Sequence, residues 1–196
     1  AAFPDRFAVL FPPGRPSLKK QDWPTPAIRD HYLGQLRRFA EPLRRAKQIF
    51  VIGRSSPDGD AKTNRLLALG RMRLVADLID ATVHEGLSET EKGRWKPRIR
   101  SFALSSDNPI DPARFKESYL GASSGSAPLE KERLILADEA SRLKVEGALG
   151  GGVDLKNREA PGWQDLFGAL NRVVLVIPIP CTGDEYTAPK SVLTPN

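Results

Sequence analysis

Residues 49–79 place a short apolar run, a polar loop and a long amphipathic segment in direct succession, which limits what the chain can fold into. The first four residues, IFVI, form a continuous apolar run closed by Gly53, a pattern typical of a strand buried on both faces. Residues 54–63 contain proline, glycine and small hydroxyl residues, which end a strand and introduce a helix. We therefore predict a strand, a tight loop in which a ligand could bind, and a long helix.

The helix after this loop is predicted to begin near Asp58 or Asp60, either of which can cap it or complement its dipole. Apolar residues share one predicted helical face, namely Leu67, Leu74, Val75, Leu78 and Ile79. Asn64 and Arg71 are about two helical turns apart and project from the same side. A neutral amide and a fixed cation thus lie on the loop side of the helix.

This spacing resembles that of OmpA-like C-terminal domains, in which a glycine-containing acidic loop is followed by N-x-x-L-S-x-x-R-A. The residues that stand in this register are Gly53, Ser55, Gly59, Asn64, Leu67 and Arg71. Residues 169–174, ALNRVV, are similar to the family's A-x-N-R-R-V. Residues 98–109 are similar to the strand and loop that end in the family's N-P. The three matches follow the family's order and cover about half of the chain.

The resemblance implies an α/β fold of the α+β sandwich type, with the element order β-α-β-α-β-β. We expect one OmpA-like domain over residues 1–180, with a long helical insertion over residues 110–168 before the last strand. An insertion of this size is typical of a lid or a partner-binding surface, although it could also cover an exposed sheet edge. Residues 181–196 are expected to form an extended or disordered tail.

OmpA-like domains hold the peptide stem of peptidoglycan non-covalently, with an acidic residue facing the ammonium of diaminopimelate and a helix arginine facing its carboxylate. The resemblance carries the arginine to Arg71 and the asparagine to Asn64. The acidic position is occupied by Ser56, so Asp58 or Asp60 would have to meet the ammonium. The predicted peptidoglycan-binding set is completed by Leu67 and Arg172.

Readings that need no ligand also fit these residues. An arginine on a helix commonly covers apolar neighbours with its stem while its charge stays in water, which is the alternative for Arg71. Asn64 could brace the preceding loop through its amide, and we slightly favour that role. Asp58 and Asp60 could act only at the helix start.

Two functions are therefore open. In the first, the chain is a non-catalytic cell-envelope domain that anchors to peptidoglycan by binding the diaminopimelate stem peptide. In the second, it is a degenerate OmpA-like scaffold that no longer binds peptidoglycan and mediates protein-protein assembly in an envelope or secretion complex. Ser56 favours the second, whereas Asn64 and Arg71 favour the first. Both imply the periplasm and a tether to a bacterial membrane, with membrane contact made only through a segment outside these residues.

Composition and motifs argue against catalysis, metals and nucleic acid. The chain has two histidines and one cysteine, Cys181, so neither an internal disulfide nor a cysteine-based zinc cluster can form. It lacks a nucleophile elbow and a phosphate-binding loop, so we expect no enzyme activity, no catalytic residue, no metal and no cofactor. The net charge is +6, but the basic residues are scattered and lack neighbouring aromatic platforms. Nucleic acid is therefore not expected as a partner.

The remaining elements are predicted from apolar periodicity, prolines and glycines. We expect a first strand at residues 7–11 and a helix capped by Thr25, with a kink or break at Pro42. A third strand is predicted at residues 98–104. A helix at residues 128–149, ended by three glycines, should direct Leu129, Leu136, Ala140 and Leu143 toward the core, and a short helical segment should follow around Leu166.

Overall fold

A computed structural model describes residues 6–16, 23, 25–94, 98–106, 108–119 and 134–180. The strands are β1 (Phe7–Leu10), β2 (Gln48–Arg54), β3 (Arg98–Ser105), β4 (Leu134–Ile135) and β5 (Val173–Ile179). The helices are α1 (Pro26–Leu36), α2 (Ala40–Arg45), α3 (Ala61–His84), α4 (Glu89–Arg94), α5 (Pro112–Tyr119), α6 (Glu139–Gly147) and α7 (Trp163–Asn171), with a 3-10 turn at Arg37–Phe39 and a π-helical turn at Ala148–Gly152.

The described strands form one mixed five-stranded sheet in the order β3-β2-β5-β1-β4. β2 and β3 run parallel, as do β1 and β4, while β5 is antiparallel to both of its neighbours. The strand that comes last in the chain therefore lies at the centre and joins the two parallel pairs. Helices cover parts of both faces, which confirms the predicted α+β class.

Most element predictions outside the insertion are confirmed. The first and third strands lie where periodicity places them, and Thr25 caps α1 by accepting a hydrogen bond from the Ile28 amide. The helical break falls at Arg37–Phe39, just before Pro42, because the proline is accommodated in the first turn of α2. The predicted tail, residues 181–196, lies outside the described residues.

The predicted helix at residues 128–149 is wrong in its first part. Leu134 and Ile135 form β4 instead and pair with β1, because this non-local strand pairing outweighs helical periodicity. The helix begins only at Glu139, and residues 128–133, including the predicted core residue Leu129, lie outside the described part of the chain. Leu136 is buried as expected, whereas Ala140 is exposed and Leu143 is 61% exposed.

The first core lies between one face of the sheet and helices α1, α2 and α3. Its buried members alternate along the strands and include Phe7, Val9, Ile49, Val51, Val174, Val176, Leu74, Val75, Leu78 and Ile79. In β2, however, Phe50 and Ile52 are only half-buried. The prediction that this strand is buried on both faces is therefore wrong for these two residues, because the second layer of helices packs over other strands.

The second core lies on the opposite face and is built mainly by the insertion. Its members come from β1, β4, the start of β5 and helices α5, α6 and α7, and include Ala8, Leu10, Leu134, Val173, Phe115, Val145, Leu149, Leu166 and Leu170. The insertion also supplies β4, which extends the sheet beyond β1. This agrees with the interpretation that the insertion covers a sheet edge.

The approach of α3 to β2 requires a glycine. Asp60 caps the helix as predicted, accepting a hydrogen bond from the Thr63 amide at 2.9 Å. Gly53 lies in β2, against the middle of this helix. A Cβ atom added to Gly53 would lie 2.6 Å from the Ala68 carbonyl oxygen and 2.4 Å from Met72 Cγ, both in α3. The helix therefore packs directly against the strand backbone.

We expect Gly53→Ala to destabilise the protein by about 1 to 3 kcal/mol, because the new methyl group would meet a backbone oxygen that cannot move away freely. The free energy of unfolding, measured with urea, checks this. Gly34→Ala in α1 is the matched control, because nothing lies within 4 Å of the added Cβ. It should change stability by less than about 1 kcal/mol, toward stabilisation. Equal effects at the two positions would contradict the close-approach explanation.

Candidate functional site

Arg71 lies in the interior, at the meeting point of three segments. Its side chain belongs to α3 and the residue is 1% exposed. Nε donates a hydrogen bond to the Arg15 carbonyl at 2.9 Å, and Nη1 donates one to the Arg54 carbonyl at 2.8 Å. The guanidinium carbon is 5.7 Å from the centroid of the Phe11 ring. Arg71 thus ties the chain after β1 and the end of β2 to the helix.

Burial gives this guanidinium an unusual electrostatic environment. Loss of water, together with the neighbouring Arg172 cation, lowers the pKa of Arg71 to about 9, with Tyr32 acting in the opposite direction. Arg71 is therefore a cation at neutral pH. No carboxylate in the described part of the chain forms an ion pair with it, so backbone carbonyls are its partners. The arrangement indicates a bracing role for Arg71 rather than an open ligand site.

Aromatic side chains close off the space around Arg71. The Tyr32 hydroxyl donates a 2.6 Å hydrogen bond to the Leu10 carbonyl, and burial raises the pKa of this hydroxyl well above its usual value. The Phe11 ring stacks on Tyr32 with centroids 5.7 Å apart and on Trp23 with centroids 6.1 Å apart. This cluster excludes water from the guanidinium and strengthens its hydrogen bonds.

The other predicted site residues of the loop and the start of α3 differ in burial. Asn64 is 2% exposed, and its Nδ2 has no hydrogen-bond partner among the described residues, so the expected bracing through the amide donor is not observed. Ser56 and Leu67 are half-buried. Asp60 is exposed and serves as the helix cap, and its hydrogen bonds to Thr63 lower its pKa. None of these four residues lines the cavity beside α6 and α7 that is described next.

A cavity of about 910 Å³ lies beside this interior cluster. It is bounded by the chain just after β1, by α6 with its π-helical turn, by α7 and by Asp58. Its charged lining residues are Asp58, Asp138, Lys144, Asp165 and Arg172. Lys144 and Asp165 form an ion pair at 3.0 Å, and Asp138 caps α6 through the Ser141 amide. Asp58 and Arg172 are therefore the charged lining residues that these contacts leave uncommitted.

Arg172 presents its guanidinium to the cavity. Nε donates a 3.3 Å hydrogen bond to the Phe11 carbonyl, and the Phe11 amide donates to the Arg172 carbonyl at 2.7 Å. The terminal amino groups lie along α7, where a Cβ atom added to Gly168 would be 2.8 Å from Nη1. Burial lowers the pKa of Arg172, against the opposing effect of Asp58 and Asp165, yet no described carboxylate contacts it. It is a half-buried cation with donors directed to an open space.

Asn171 was not predicted as part of the site, although it lies in the ALNRVV segment. It is fully buried, and its Oδ1 accepts a hydrogen bond from the Ile110 amide at 2.7 Å. Its Nδ2 donates to the carbonyls of Ile110 and Phe167, each at 2.9 Å. Asn171 therefore clamps the start of the insertion to the end of α7 and fixes the residue that follows it, Arg172.

The structure thus brings two of the predicted site residues, Asp58 and Arg172, to one cavity and places Arg71 and Asn64 in the interior. In the described ranges, no group of three or more His, Cys, Asp or Glu residues could hold a metal ion. None of the described helices is long and apolar enough to cross a membrane. Comparison with protein families, curated proteins and solved structures finds no match to the chain.

We expect Arg71→Ala to destabilise the protein by at least about 2 kcal/mol, because the hydrogen bonds of a charged donor to the buried Arg54 carbonyl and to the part-buried Arg15 carbonyl would be lost. Arg71→Lys should lose most of the same stability, since an ammonium cannot reproduce the planar fork of donors. Urea unfolding of both variants measures this. Arg65→Ala, at an exposed position on the same helix, is the control and should cost less than about 0.5 kcal/mol. A stable Arg71→Ala variant would show that Arg71 is not a brace.

Proposed function

We propose that this chain is a non-catalytic cell-envelope domain of the OmpA-like type that anchors to peptidoglycan by holding the diaminopimelate stem peptide in the cavity lined by Arg172 and Asp58. The observation that carries the proposal is the half-buried Arg172 guanidinium, which faces this cavity without a carboxylate partner among the described residues. In this arrangement Arg172, rather than Arg71, receives the ligand carboxylate. Asp58 meets the ligand ammonium.

The charges and size of the cavity suit such a ligand. Diaminopimelate carries an ammonium beside a carboxylate, so its recognition requires an acid and a base on one surface. Asp58 and Arg172 line the same cavity, and the charge of Asp58 acts on the pKa of Arg172. The volume of about 910 Å³ falls within the usual range for small-ligand pockets. Partial burial of Arg172 strengthens an ion pair with a ligand relative to one formed in open water.

Contacts between the matched segments support the OmpA-like arrangement. Arg71 of α3 donates to the Arg54 carbonyl, and the Arg54 side chain donates to the Asn108 carbonyl in the N-P loop. Asn171 then holds Ile110, directly after that loop. Hydrogen bonds therefore connect the three segments on which the resemblance rests. The element order also places the insertion between the third strand of the family pattern and the last one.

A second candidate is the degenerate scaffold that mediates protein-protein assembly in a periplasmic envelope or secretion complex. The observation that favours it is the commitment of Arg71 to the carbonyls of Arg15 and Arg54. The uncharged Ser56 at the acidic position agrees with it. In this function the cavity holds no stem peptide, so a binding measurement separates the two candidates.

The test of wall anchoring is retention of the chain on purified diaminopimelate-type peptidoglycan sacculi. We expect the native chain to be retained, and Arg172→Gln and Asp58→Asn each to weaken retention by about tenfold or more. Truncating one member of a desolvated charge pair commonly costs about 2 to 5 kcal/mol. Because this pair is partly exposed to solvent, which screens the charges, we expect a cost near the lower end of that range. Arg114→Gln, at an exposed arginine of the insertion, is the charge-matched control and should be retained like the native chain.

Competition with free stem tripeptides makes the same test specific. A tripeptide ending in diaminopimelate should release the chain, whereas one ending in lysine lacks the second carboxylate and should release it poorly. Retention that depends on net charge alone would fall equally in Arg114→Gln and Arg172→Gln. That result, or failure of the folded native chain to bind sacculi, would support the scaffold function.

Gly168→Ala tests the position of the Arg172 guanidinium without removing its charge. The new Cβ would lie 2.8 Å from Nη1, so the flexible end of Arg172 must move from its place along α7. We expect retention on sacculi to fall about as much as in Arg172→Gln, while urea stability changes by less than about 1 kcal/mol. Gly147→Ala is the matched control, because Gly147 lines the same cavity and has open space for a methyl group.

A further inference from the structure

β3 forms one edge of the sheet and is distant in the strand order from the cavity-bearing strand β1. It has eight residues, and within the described part of the chain it pairs only with β2. The pairing is regular from Arg98 to Ala103 and is then interrupted by a bulge, where Ala103 and Ser105 pair with the consecutive residues Gly53 and Arg54. An edge strand of this length offers unpaired backbone groups to another strand unless charge, irregularity or a covering element protects it. The outward residues of β3 therefore decide what it can bind.

The face of β3 opposite α3 is apolar and open. Phe102 is 45% exposed and Leu104 is 43% exposed. Phe102 lies beside Ile52 in the register of β2, and the ring of Phe50 is 5.9 Å from that of Phe102. On the inner side, Leu175 of β5 packs against the second core. The apolar face is thus covered at the sheet centre and becomes more exposed toward β3.

Charge on this face has one sign. Arg100 is exposed on β3 and lies beside Phe50 in the register of β2. The neighbouring strand positions on the same face are occupied by Gln48, Phe50, Ile52, Phe102, Leu104, Leu175 and Ile177, none of which is acidic. An occupant that pairs with the edge therefore needs apolar side chains for most of the face and a carboxylate for Arg100.

A second copy of this chain does not supply that carboxylate. Antiparallel pairing of two β3 strands would bring both Arg100 side chains onto one small apolar face, where these β2, β3 and β5 positions offer no acid to compensate them. Like charges close together on paired strands are destabilising. Charge complementarity thus favours a foreign strand over self-association.

We propose that β3 and the face formed by Phe50, Ile52, Arg100, Phe102 and Leu104 bind an extended segment of a partner protein by strand addition. One carboxylate of the segment pairs with Arg100, and an apolar side chain two positions away packs on Phe102, while further apolar side chains cover Leu104 at the bulge. Backbone hydrogen bonds to the free edge supply the rest of the affinity. This surface is independent of the peptidoglycan proposal, so a chain that fails to bind sacculi still tests it.

The probe is a nonapeptide with an acetylated N-terminus and an amidated C-terminus, in which Thr alternates with Glu, Val and Ile. A comparison peptide has Lys in place of Glu. We expect fluorescence anisotropy to show that the folded native chain binds the Glu peptide about fivefold or more tightly than the Lys peptide. Arg100→Glu should reverse this order. Phe102→Thr should weaken both peptides, whereas Leu143→Thr, at an exposed leucine of α6, should affect neither.

Amide hydrogen exchange locates the binding. Addition of the Glu peptide should slow exchange along β3, because the new strand takes the outer hydrogen bonds, and should leave β4 at the opposite edge unchanged. Absence of binding at millimolar peptide would overturn the proposal. So would a peptide preference that Arg100→Glu leaves unchanged, or sedimentation showing a native dimer that Phe102→Thr dissociates.

Discussion

The buried guanidinium of Arg71 joins parts of the chain that no strand pairing connects. It holds the carbonyl of Arg15, in the segment after β1, and the carbonyl of Arg54, at the end of β2, while its own backbone belongs to α3. Hydrogen bonds from a charged donor are stronger than neutral ones, and burial in an aromatic cluster strengthens them further. The position of the β2–α3 loop, and therefore of Asp58, depends on this internal contact. The same contact removes Arg71 from the set of cations that a ligand can reach.

Arg172 lies on the other side of Phe11 from Arg71. Phe11 lies between the two arginines, with its ring against Arg71 and its backbone amide and carbonyl bonded to Arg172. The positive charge of Arg172 lowers the pKa of Arg71. Of the two arginines, only Arg172 lines the cavity. In the proposed site the insertion is thus more than a cover for the sheet, because α6 and α7 form much of the cavity wall. The segments on which the resemblance to OmpA-like domains rests meet here, and Arg71, the residue to which the resemblance carries the family's arginine, is enclosed by packing.

Sequence patterns predicted what depends on neighbouring residues. The apolar run of β2, the Asp60 cap and the buried stripe of α3 follow from local periodicity and capping. β4 could not be predicted from local periodicity, because its two residues carry too little pattern and become a strand only through pairing with Ala8 and Val9. The partners of Arg71 are backbone carbonyls, which leave no mark in the sequence. One signal was readable: Gly168 lies four residues before Arg172, where the absence of a side chain leaves room for a long cation on the same helical face.

The central place of β5 has a consequence for the order in which the chain can fold. β2, α3 and β3 are consecutive and can associate locally, but Ala8 of β1 finds its nearest paired residue in sequence at Leu134, and β2 gains its second neighbour only from residues 174–179. Contacts so distant in sequence close large loops and form slowly. A chain interrupted before residue 173 would therefore hold β2 with one bare edge and β1 with, at most, the two-residue strand β4 as its partner. Such an intermediate exposes two aggregation-prone strands until the last residues of the sheet arrive and join both halves at once.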